Sequence, residues 1–581
     1  MRNSPSQSHR TSIQAVKSRL ALISLVLSAA GLVLVGRLVH LQIIQHDRLA
    51  AQSDKQYLRT VEITSGRGNI YDRNRNQLAT NIRVESVYAD PKSVAEKTAT
   101  ARILARVLKL NPQAVLKKLK SNRHFVWIKR KSELNAVEKL KQLDLVGVGF
   151  IAETKRYYPK RKLAASTLGF VGLDNQGLAG IEHFHHAVLK GRTQRTVLEK
   201  DARGRFLWTT ANAQDLNPGK QDVVLALDEV IQFIAERELN RQVKEYRAKS
   251  GLAIVMDPFS GAVYAMASAP EFNPNNYAAY PPHIWRNDAV ASAFEPGSIF
   301  KPIVAAASLE EGLAGPDDIF FCENGSYQIG KSRISEASNH QFGWLTLRNI
   351  IAKSSNIGAI KIAQRLGNRR FYDYIRKFGF GRRLGVDLPG EASGTLRSIR
   401  QWSGLSLASI SFGHEISVTP IQMVSAIAAI ANGGVLIRPR LTQAILKNGV
   451  LDRTFEPEAL QTVLSEETSR QMINILKSVV KTGTGAKAAI PGFEVAGKTG
   501  TAQKIDPKTQ TYSKTKYLAS FVGFVPADAP RLVILVMIDE PQKTYWGGEV
   551  AAPVFQRIAR KTLRYLHIPS SLDRVFVLDR A

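Results

Sequence analysis

At 581 residues the chain has room for several domains that each bury a core, and its 44% hydrophobic content excludes a disordered protein. Its 80 Lys+Arg against 49 Asp+Glu give a net charge of +31, which asks for an acidic partner: nucleic acid, anionic lipid or an anionic substrate. No zinc finger, basic-aromatic RNA motif or arginine tract is present, which sets nucleic acid aside, and a single cysteine, Cys322, excludes an internal disulfide and reads as structural.

Met1–Arg19 is polar, carries Arg2, Arg10, Lys17 and Arg19, and has no acid. Leu20–Gly36 is uncharged and almost wholly apolar, ends at Arg37, and lies at the short end of what spans a bilayer. The positive-inside rule places the N-terminus in the cytoplasm and everything after Arg37 outside. A cleaved signal peptide is the alternative, given the small residues Ser28-Ala29-Ala30, but the apolar run continues past Ala30 and favours an uncleaved anchor.

From His40 to about Pro218 the chain is mixed and very basic. Gly66-Arg-Gly-Asn-Ile-Tyr-Asp-Arg73 reads as a turn whose charged residues clamp one another. Asn111-Pro112 opens a helix, Asn as cap and Pro in the first turn, and Lys117, Lys118 and Lys120 decorate it. Ser132–Leu143 reads as a second helix. This Lys/Arg density fits a solvated face and a contact with an anionic surface equally well. His183, His185 and His186 beside Glu182 lack a metal-ligand spacing and read as surface histidines on a short helix.

From Gln221 the texture changes. Val223–Leu227 reads as a strand, Glu229–Val243 as an amphipathic helix, and Gly251–Met256 with Ala262–Ala267 as a hairpin turned by Asp-Pro-Phe-Ser-Gly. Ala-rich helical patterns then run through Ile430, and Tyr517–Pro526 and Arg531–Asp539 are strands near the end. Strands at both ends with helices between predict a sheet assembled from the two ends and covered by helices.

Three short motifs inside this region carry chemistry. Ser298-Ile-Phe-Lys301 opens the helical run Ile303–Leu309 just after Pro296-Gly297, so Lys301 sits on the face of Ser298 and its amine can lie beside that hydroxyl. A serine needs a neighbouring base, and a lysine serves as one only when burial or other cations lower its pKa. The helix N-terminus favours an oxyanion forming there. Ser354-Ser355-Asn356 breaks the run Ala352–Ile362 and offers a hydroxyl for proton relay and an amide. Gly497-Lys-Thr-Gly-Thr501 offers a cation, two hydroxyls and a strand edge along which a peptide can align. Order and spacing match the Ser-x-x-Lys, Ser-x-Asn, Lys-Thr-Gly set of penicillin-recognising enzymes.

Three look-alikes fall away. Lys481-Thr-Gly483 follows a helical stretch and sits in a Gly-rich loop. Gly492-Phe-Glu-Val-Ala-Gly-Lys-Thr499 fits a nucleotide-binding pattern literally, but Thr501–Tyr512 is polar, contains Asp506-Pro507 and does not read as the helix that pattern needs. Glu236-Arg-Glu-Leu-Asn240 resembles the deacylating segment of class A β-lactamases, but it precedes Ser298 and reads as an ordinary charged helix.

From the membrane segment to Phe555 the chain resembles the class B penicillin-binding proteins. Arg67-Gly68, Asp72-Arg73 and Leu78-Ala79 look like their first N-terminal motif, and Arg156-Tyr-Tyr-Pro159, Leu168-Gly-Phe-Val-Gly172 and Gly180-Ile-Glu182 like the next. Met256-Asp-Pro258, Gly261, Ser268-Ala-Pro270, Phe378-Gly-Phe-Gly381, Leu388-Pro-Gly-Glu391 and Val418-Thr-Pro420-Ile-Gln422 continue the likeness. Phe294-Glu-Pro-Gly-Ser298 is similar to the cell-division subgroup, because the elongation subgroup usually has Pro where Glu295 stands. Arg75 and Glu415 depart from the pattern, each standing where Gly is common, which questions the shape of one turn and of one loop near the site.

The resemblance implies a cytoplasmic tail (1–19), a single transmembrane helix (20–40), an α+β pedestal for dimerisation or partners (41–218), a transpeptidase domain (219–568) and a C-terminal tail (569–581). The transpeptidase domain would be α/β, an antiparallel sheet covered by helices as in serine β-lactamases. The implied enzyme is a serine D,D-transpeptidase of septal cell-wall synthesis at the division site, set in the bacterial inner membrane with its catalytic domain outside. Its substrate would be peptidoglycan stems ending in D-Ala-D-Ala. Ser298 would attack, Lys301 would take the proton, and Ser354 backed by Lys498 would protonate the leaving D-Ala. The backbone N–H groups of Ser298 and Thr501 would stabilise the oxyanion, Thr499 and Thr501 with Gly500 between them would hold the carboxylate, and Asn356 would orient the amide. β-Lactams would acylate Ser298. The implied partners are a membrane-embedded glycan-strand polymerase and other division proteins, with no metal or organic cofactor. An elongation-type transpeptidase, a non-catalytic penicillin sensor or division scaffold, and a serine β-lactamase are the alternatives. The single span with no signalling domain speaks against the sensor, the complete motif set against the scaffold, and the large N-terminal region against the β-lactamase.

Overall fold

The computed structural model describes residues 8–64, 66–191, 193–200, 206–207, 221–506, 509 and 511–571. Residues 1–7 of the basic tail, Pro218, Pro507 and most of the C-terminal tail lie outside the described residues. The chain divides into two units, Met1–Ser65 with Arg192–Pro218, and Gly66–Gly191 with Gly219–Ala581.

In the first unit a helix, Ser8–Val39, runs through a π-helical turn, His40–Ile44, into the helix His46–Tyr57. Val16–Ile44 has a mean hydropathy of 2.3 and is long and apolar enough to cross a membrane. The strand Leu58–Thr64 pairs antiparallel with Thr193–Lys200, from Leu58↔Glu199 to Thr64↔Thr193.

The second unit begins with an α+β region. Its long strand, Gln77–Ala89, pairs along its length with Val148–Tyr157 and at its far end with Val126–Ser132. The helices Lys97–Leu108, Pro112–Leu119 and Leu134–Gln142 bury Leu104, Val115, Val137 and Leu140 in one small core with Val87 and Ile128. Asn111 caps its helix as expected, accepting from Gln113 N and Ala114 N. Ser132 ends a strand, and the helix read as Ser132–Leu143 begins at Leu134. The Gly66–Arg73 turn does not clamp itself. Arg67 reaches across the chain to Glu182, which also takes Arg156 at 2.5 Å, and all three side chains are buried. Two guanidinium groups offset the desolvation of one carboxylate, so Glu182 stays ionised below the usual carboxylate range. Of the three histidines read as surface residues, His183 is exposed as expected, but His185 is 7% exposed and meets Thr442 Oγ1 at 2.7 Å, and half-buried His186 meets Arg67 through Nδ1 at 3.0 Å.

The larger domain is built on a five-stranded antiparallel sheet of β1 (Ser250–Met256), β2 (Val263–Ala269), β3 (Ala496–Ile505), β4 (Tyr512–Val525) and β5 (Leu532–Asp539), in the order β2-β1-β5-β4-β3. The sheet is thus drawn from both ends of the region, as its strand pattern predicts. Its central strands are apolar throughout because both faces are covered. Leu252, Ile254 and Leu535 face one core, under α2 (Lys301–Glu310) and α5 (Pro420–Ala431), while Ala253, Val255 and Val536 face the other, under α1 (Glu229–Glu245) and α7 (Ala552–Tyr565). Helices α3 (Leu347–Lys353), α4 (Asn356–Leu366) and α6 (Glu466–Lys481) complete the first layer.

Helix α1 is not simply a charged surface helix. Glu238 is buried under Arg557 and Lys561 of α7, and Glu236 is buried where Ala164 N and Gln232 Nε2 both donate to its Oε1 at 2.8 Å. Burial pushes the Glu236 carboxyl up from 4.5 to about 8, so the folded chain holds this proton more tightly than the unfolded chain does. That stabilisation is complete below pH 4.5 and is lost as pH rises through about 8. Glu236→Gln keeps the acceptor oxygen and removes the titration. Denaturant unfolding should find it level with wild type at acid pH and more stable at pH 8 by on the order of 2–4 kcal/mol, at about 1.4 kcal/mol per pH unit.

Candidate active site

Ser298 lies in a tight 3₁₀ turn, Gly297–Phe300, that runs directly into α2, with Pro302 in the first helical turn. The turn is held from two sides. Gly297 N donates to Gly413 O at 3.1 Å, and a Cβ on Gly413, where φ is +86°, would sit 2.2 Å from Gly297 O. On the other side, a Cβ on Gly500 would sit 2.8 Å from Ile299 Cγ2, so only glycine lets β3 pass this close beneath the turn. As the outermost strand of the sheet, β3 has one edge unpaired among the described residues, open to an added peptide.

Ser354 terminates α3 in the left-handed conformation, φ +61°, and Ser355 caps α4 by accepting from Gly358 N at 2.9 Å. This break turns the Ser354 hydroxyl toward two lysines. Lys301 Nζ lies 3.2 Å and Lys498 Nζ 2.9 Å from Ser354 Oγ, and both lysine side chains are fully buried. Lys301 Nζ also donates to Ser354 O at 2.6 Å and to Asn356 Oδ1 at 2.8 Å. The amine is therefore committed to the Ser354–Asn356 segment and not to the Ser298 hydroxyl beside which the helical spacing placed it.

Electrostatics follow from burial. Desolvation brings Lys301 down from 10.5 to about 7, partly opposed by the carboxylate of Glu336. Desolvation together with the charge of Lys301 holds Lys498 well below the usual lysine range. An amine that is uncharged in a good part of the molecules at neutral pH, beside one hydroxyl and one turn from another, can accept a proton and pass it on.

The sequence-predicted residues are brought together, and several of them already have partners within the fold. Asn356 holds Lys301 through Oδ1 and donates through Nδ2 to Ser335 O at 3.2 Å. Thr499 Oγ1 pairs with Thr484 Oγ1 at 2.6 Å, and Thr501 Oγ1 accepts from Gly547 N at 3.1 Å. Lys481-Thr-Gly483 ends α6 away from the lysine pair, though Thr484, directly after it, supports Thr499. The residues after Lys498 are strand, not helix, which removes the nucleotide-binding pattern.

Sequence reasoning missed Glu336, whose carboxylate accepts from Ser355 Oγ at 2.5 Å and Asn356 N at 2.6 Å and so fixes the Ser354–Asn356 break. It read Glu295 only as a mark of the subgroup and missed its contacts, for its carboxylate accepts from Glu415 N at 2.9 Å and Tyr512 OH at 3.3 Å. Both sets of contacts reach across the sequence, and no local pattern marks the partners. Arg75 and Glu415 hold φ of +66° and +58°, the conformation a glycine adopts freely, so the turn and the loop keep that shape despite the side chains. Glu415 is secured there by Arg397, by Ser406 Oγ at 2.8 Å and by Glu295.

The chain matches the model of the penicillin-binding protein transpeptidase domain over residues 251–560 and that of the penicillin-binding protein dimerisation domain over residues 62–225. It is 35% identical to stage V sporulation protein D of Bacillus subtilis over 576 residues, covering 97% of this chain and 88% of that protein. It is 31% identical to the peptidoglycan D,D-transpeptidase FtsI of Escherichia coli over 559 residues, covering 95% and 92%. Penicillin-binding protein 3 of Mycobacterium tuberculosis, solved with aztreonam, superposes with a TM-score of 0.68 at 30% identity, covering 88% of this chain and 98% of that one. Both domain matches, the near full-length relatives and the shared architecture lead to one assignment: the chain belongs to the class B penicillin-binding proteins, which join a dimerisation domain to a transpeptidase domain.

Proposed function

We propose that the protein is a serine-type peptidoglycan D,D-transpeptidase of septal wall synthesis. The observation that carries this reading is the pair of buried lysines converging on Ser354 Oγ beside the Ser298 turn and a free strand edge. A stem ending in D-Ala-D-Ala adds to the edge of β3 with its carboxylate at Thr499 and Thr501. Ser298 Oγ attacks the penultimate D-Ala carbonyl and Lys301 takes its proton. The tetrahedral oxyanion is held by the backbone N–H groups of Ser298 and Thr501, typically a large catalytic contribution. Ser354, with Lys498 behind it, protonates the departing D-Ala. Asn356 works chiefly by aiming Lys301, and Glu336 by fixing Asn356. The amine of a neighbouring stem then displaces Ser298 and closes the crosslink.

β-Lactams acylate the same serine. The relatives solved with aztreonam and ampicillin support this. Val16–Ile44 anchors the protein once through the cytoplasmic membrane with the catalytic domain outside, where a glycan polymerase and other division proteins are its partners. Placement at the division site draws on the names of FtsI and the sporulation relative and on Glu295 before Ser298.

Intact-protein mass after incubation with benzylpenicillin tests the reading. A stable adduct of one drug mass is expected. An adduct that vanishes within minutes while drug is consumed would mean a β-lactamase, and no adduct on folded protein would mean a scaffold.

A further inference from the structure

The basic density of the dimerisation domain collects on two neighbouring helices. Residues 91–123, within the matched stretch 62–225, hold nine Lys and Arg against one acid, Glu96. The helices Lys97–Leu108 and Pro112–Leu119 turn Leu104, Leu108, Val115 and Leu119 into a small core of their own, apart from the two cores that flank the catalytic sheet. Their outer surface is cationic. Arg102, Arg106 and Lys109 succeed one another at helical spacing and are exposed. Lys117 and Lys120, also exposed, line an open hollow of about 320 Å³ together with Gln113, Leu116 and Ser121.

Among the described residues, none of these five cations meets a carboxylate or donates a side-chain hydrogen bond. Other cations of the same domain are paired: Arg130 meets Glu153 at 2.9 Å and Lys141 meets Glu85 at 2.7 Å. Unpaired like charges on one surface are a standing attraction for an anion. The kind of anion follows from what else the surface offers. Among the described residues, no large apolar side chain between Ile82 and Leu134 is exposed. A folded partner protein brings an apolar contact core, and a helix lying on a membrane sinks an apolar face into the lipid. A hydrated polymer needs neither. The first helix alone is about 18 Å long at about 1.5 Å per residue, so the charges outreach a single small ion and match anions repeated along a chain.

We propose that these two helices form a docking surface for glycan strands, on which Arg102, Arg106, Lys109, Lys117 and Lys120 hold the carboxylates of stem peptides; the proposal rests on the transpeptidase reading above. No bond is made or broken there. The surface keeps a bound strand beside the protein, so that its other stems meet the Ser298 cleft at a raised effective concentration. Each contact is exposed and weak, and the hold comes from their number.

The experiment is co-sedimentation with purified cell-wall sacculi of the full-length protein, held in phosphatidylcholine nanodiscs and already acylated with benzylpenicillin. The drug occupies Ser298, so binding reports a surface outside the cleft. Wild type should pellet at 0.1 M NaCl and be released at 1 M, where the screening length falls from about 10 to about 3 Å. Lys117→Glu with Lys120→Glu, and separately Arg102→Gln with Arg106→Gln, should each weaken binding about tenfold or more. Lys117→Arg with Lys120→Arg should bind as wild type, and acylation should stay within about twofold in all three. Sacculi with amidated carboxylates should hold wild type no better than native sacculi hold the weakened variants. Equal binding to amidated and native sacculi overturns the proposal, and so do charge-removed variants that pellet like wild type. Binding should persist in phosphatidylglycerol nanodiscs; its loss there would give the surface to the anionic membrane and overturn the proposal too. Failure of the wild type to take up benzylpenicillin would overturn the transpeptidase reading instead.

Discussion

Ser298→Ala abolishes covalent capture of benzylpenicillin, with acylation expected to fall by at least about 10⁴-fold, the scale seen when a nucleophilic serine is lost. The sharp competitor is Ser354. Its hydroxyl, not that of Ser298, lies 2.9 Å and 3.2 Å from the two lysine amines. What separates them is where each oxygen stands. Ser298 is in the first turn leading into α2, over the outermost strand, where the helix N-terminus and the strand's free backbone favour an oxyanion. Ser354 ends α3 and is already bonded on both sides. Ser354→Ala should therefore still form the adduct, slowed by about 10²–10³-fold for loss of a proton relay. Peptide mapping settles the assignment: an adduct found on Ser354 in the Ser298→Ala protein would overturn it.

The second large effect is in pH. With Lys301 brought by burial to about 7, acylation should climb roughly tenfold per pH unit below that value and level off above it, because only the uncharged amine accepts the serine proton. A lysine at its ordinary 10.5 would keep the rate climbing through pH 9. Lys301→Met should lose about 10³–10⁴-fold at pH 8 and show no such limb. Glu336 acts on the same titration with a definite sign. Its carboxylate favours the ammonium, so Glu336→Gln should move the limb to lower pH while weakening the hold on Asn356. Stopped-flow acylation with a chromogenic cephalosporin across pH 5–9 reads both effects. A flat profile would exclude Lys301 as the base.

Much of this architecture is legible in the chain itself, because it depends on near neighbours. An apolar run after a basic tail, Asn-Pro at a helix start, and unbroken apolar strands that must be covered on both faces each follow from local rules. Ser298 and Lys301 fall on one side of a helical turn by spacing alone. The three motifs lie far apart along the chain, and their order and spacing carried the site.

Tertiary structure decided what those groups do. Spacing set Lys301 beside Ser298, but folding brought Ser354 and Asn356 within hydrogen-bond reach of its amine, and burial then lowered its pKa. Glu236, Glu238 and His185 look like surface residues by composition and are buried, because distant partners — Ala164, α7 and Thr442 — reach them. Glu336 carries no local signature, and the motif that holds Glu295 says nothing of its partners, since a carboxylate that accepts from a remote backbone N–H needs only a place in space. Local sequence determines which elements form and which side chains share a face. Desolvation and partnership, which set protonation and so chemistry, depend on what the rest of the chain packs around them.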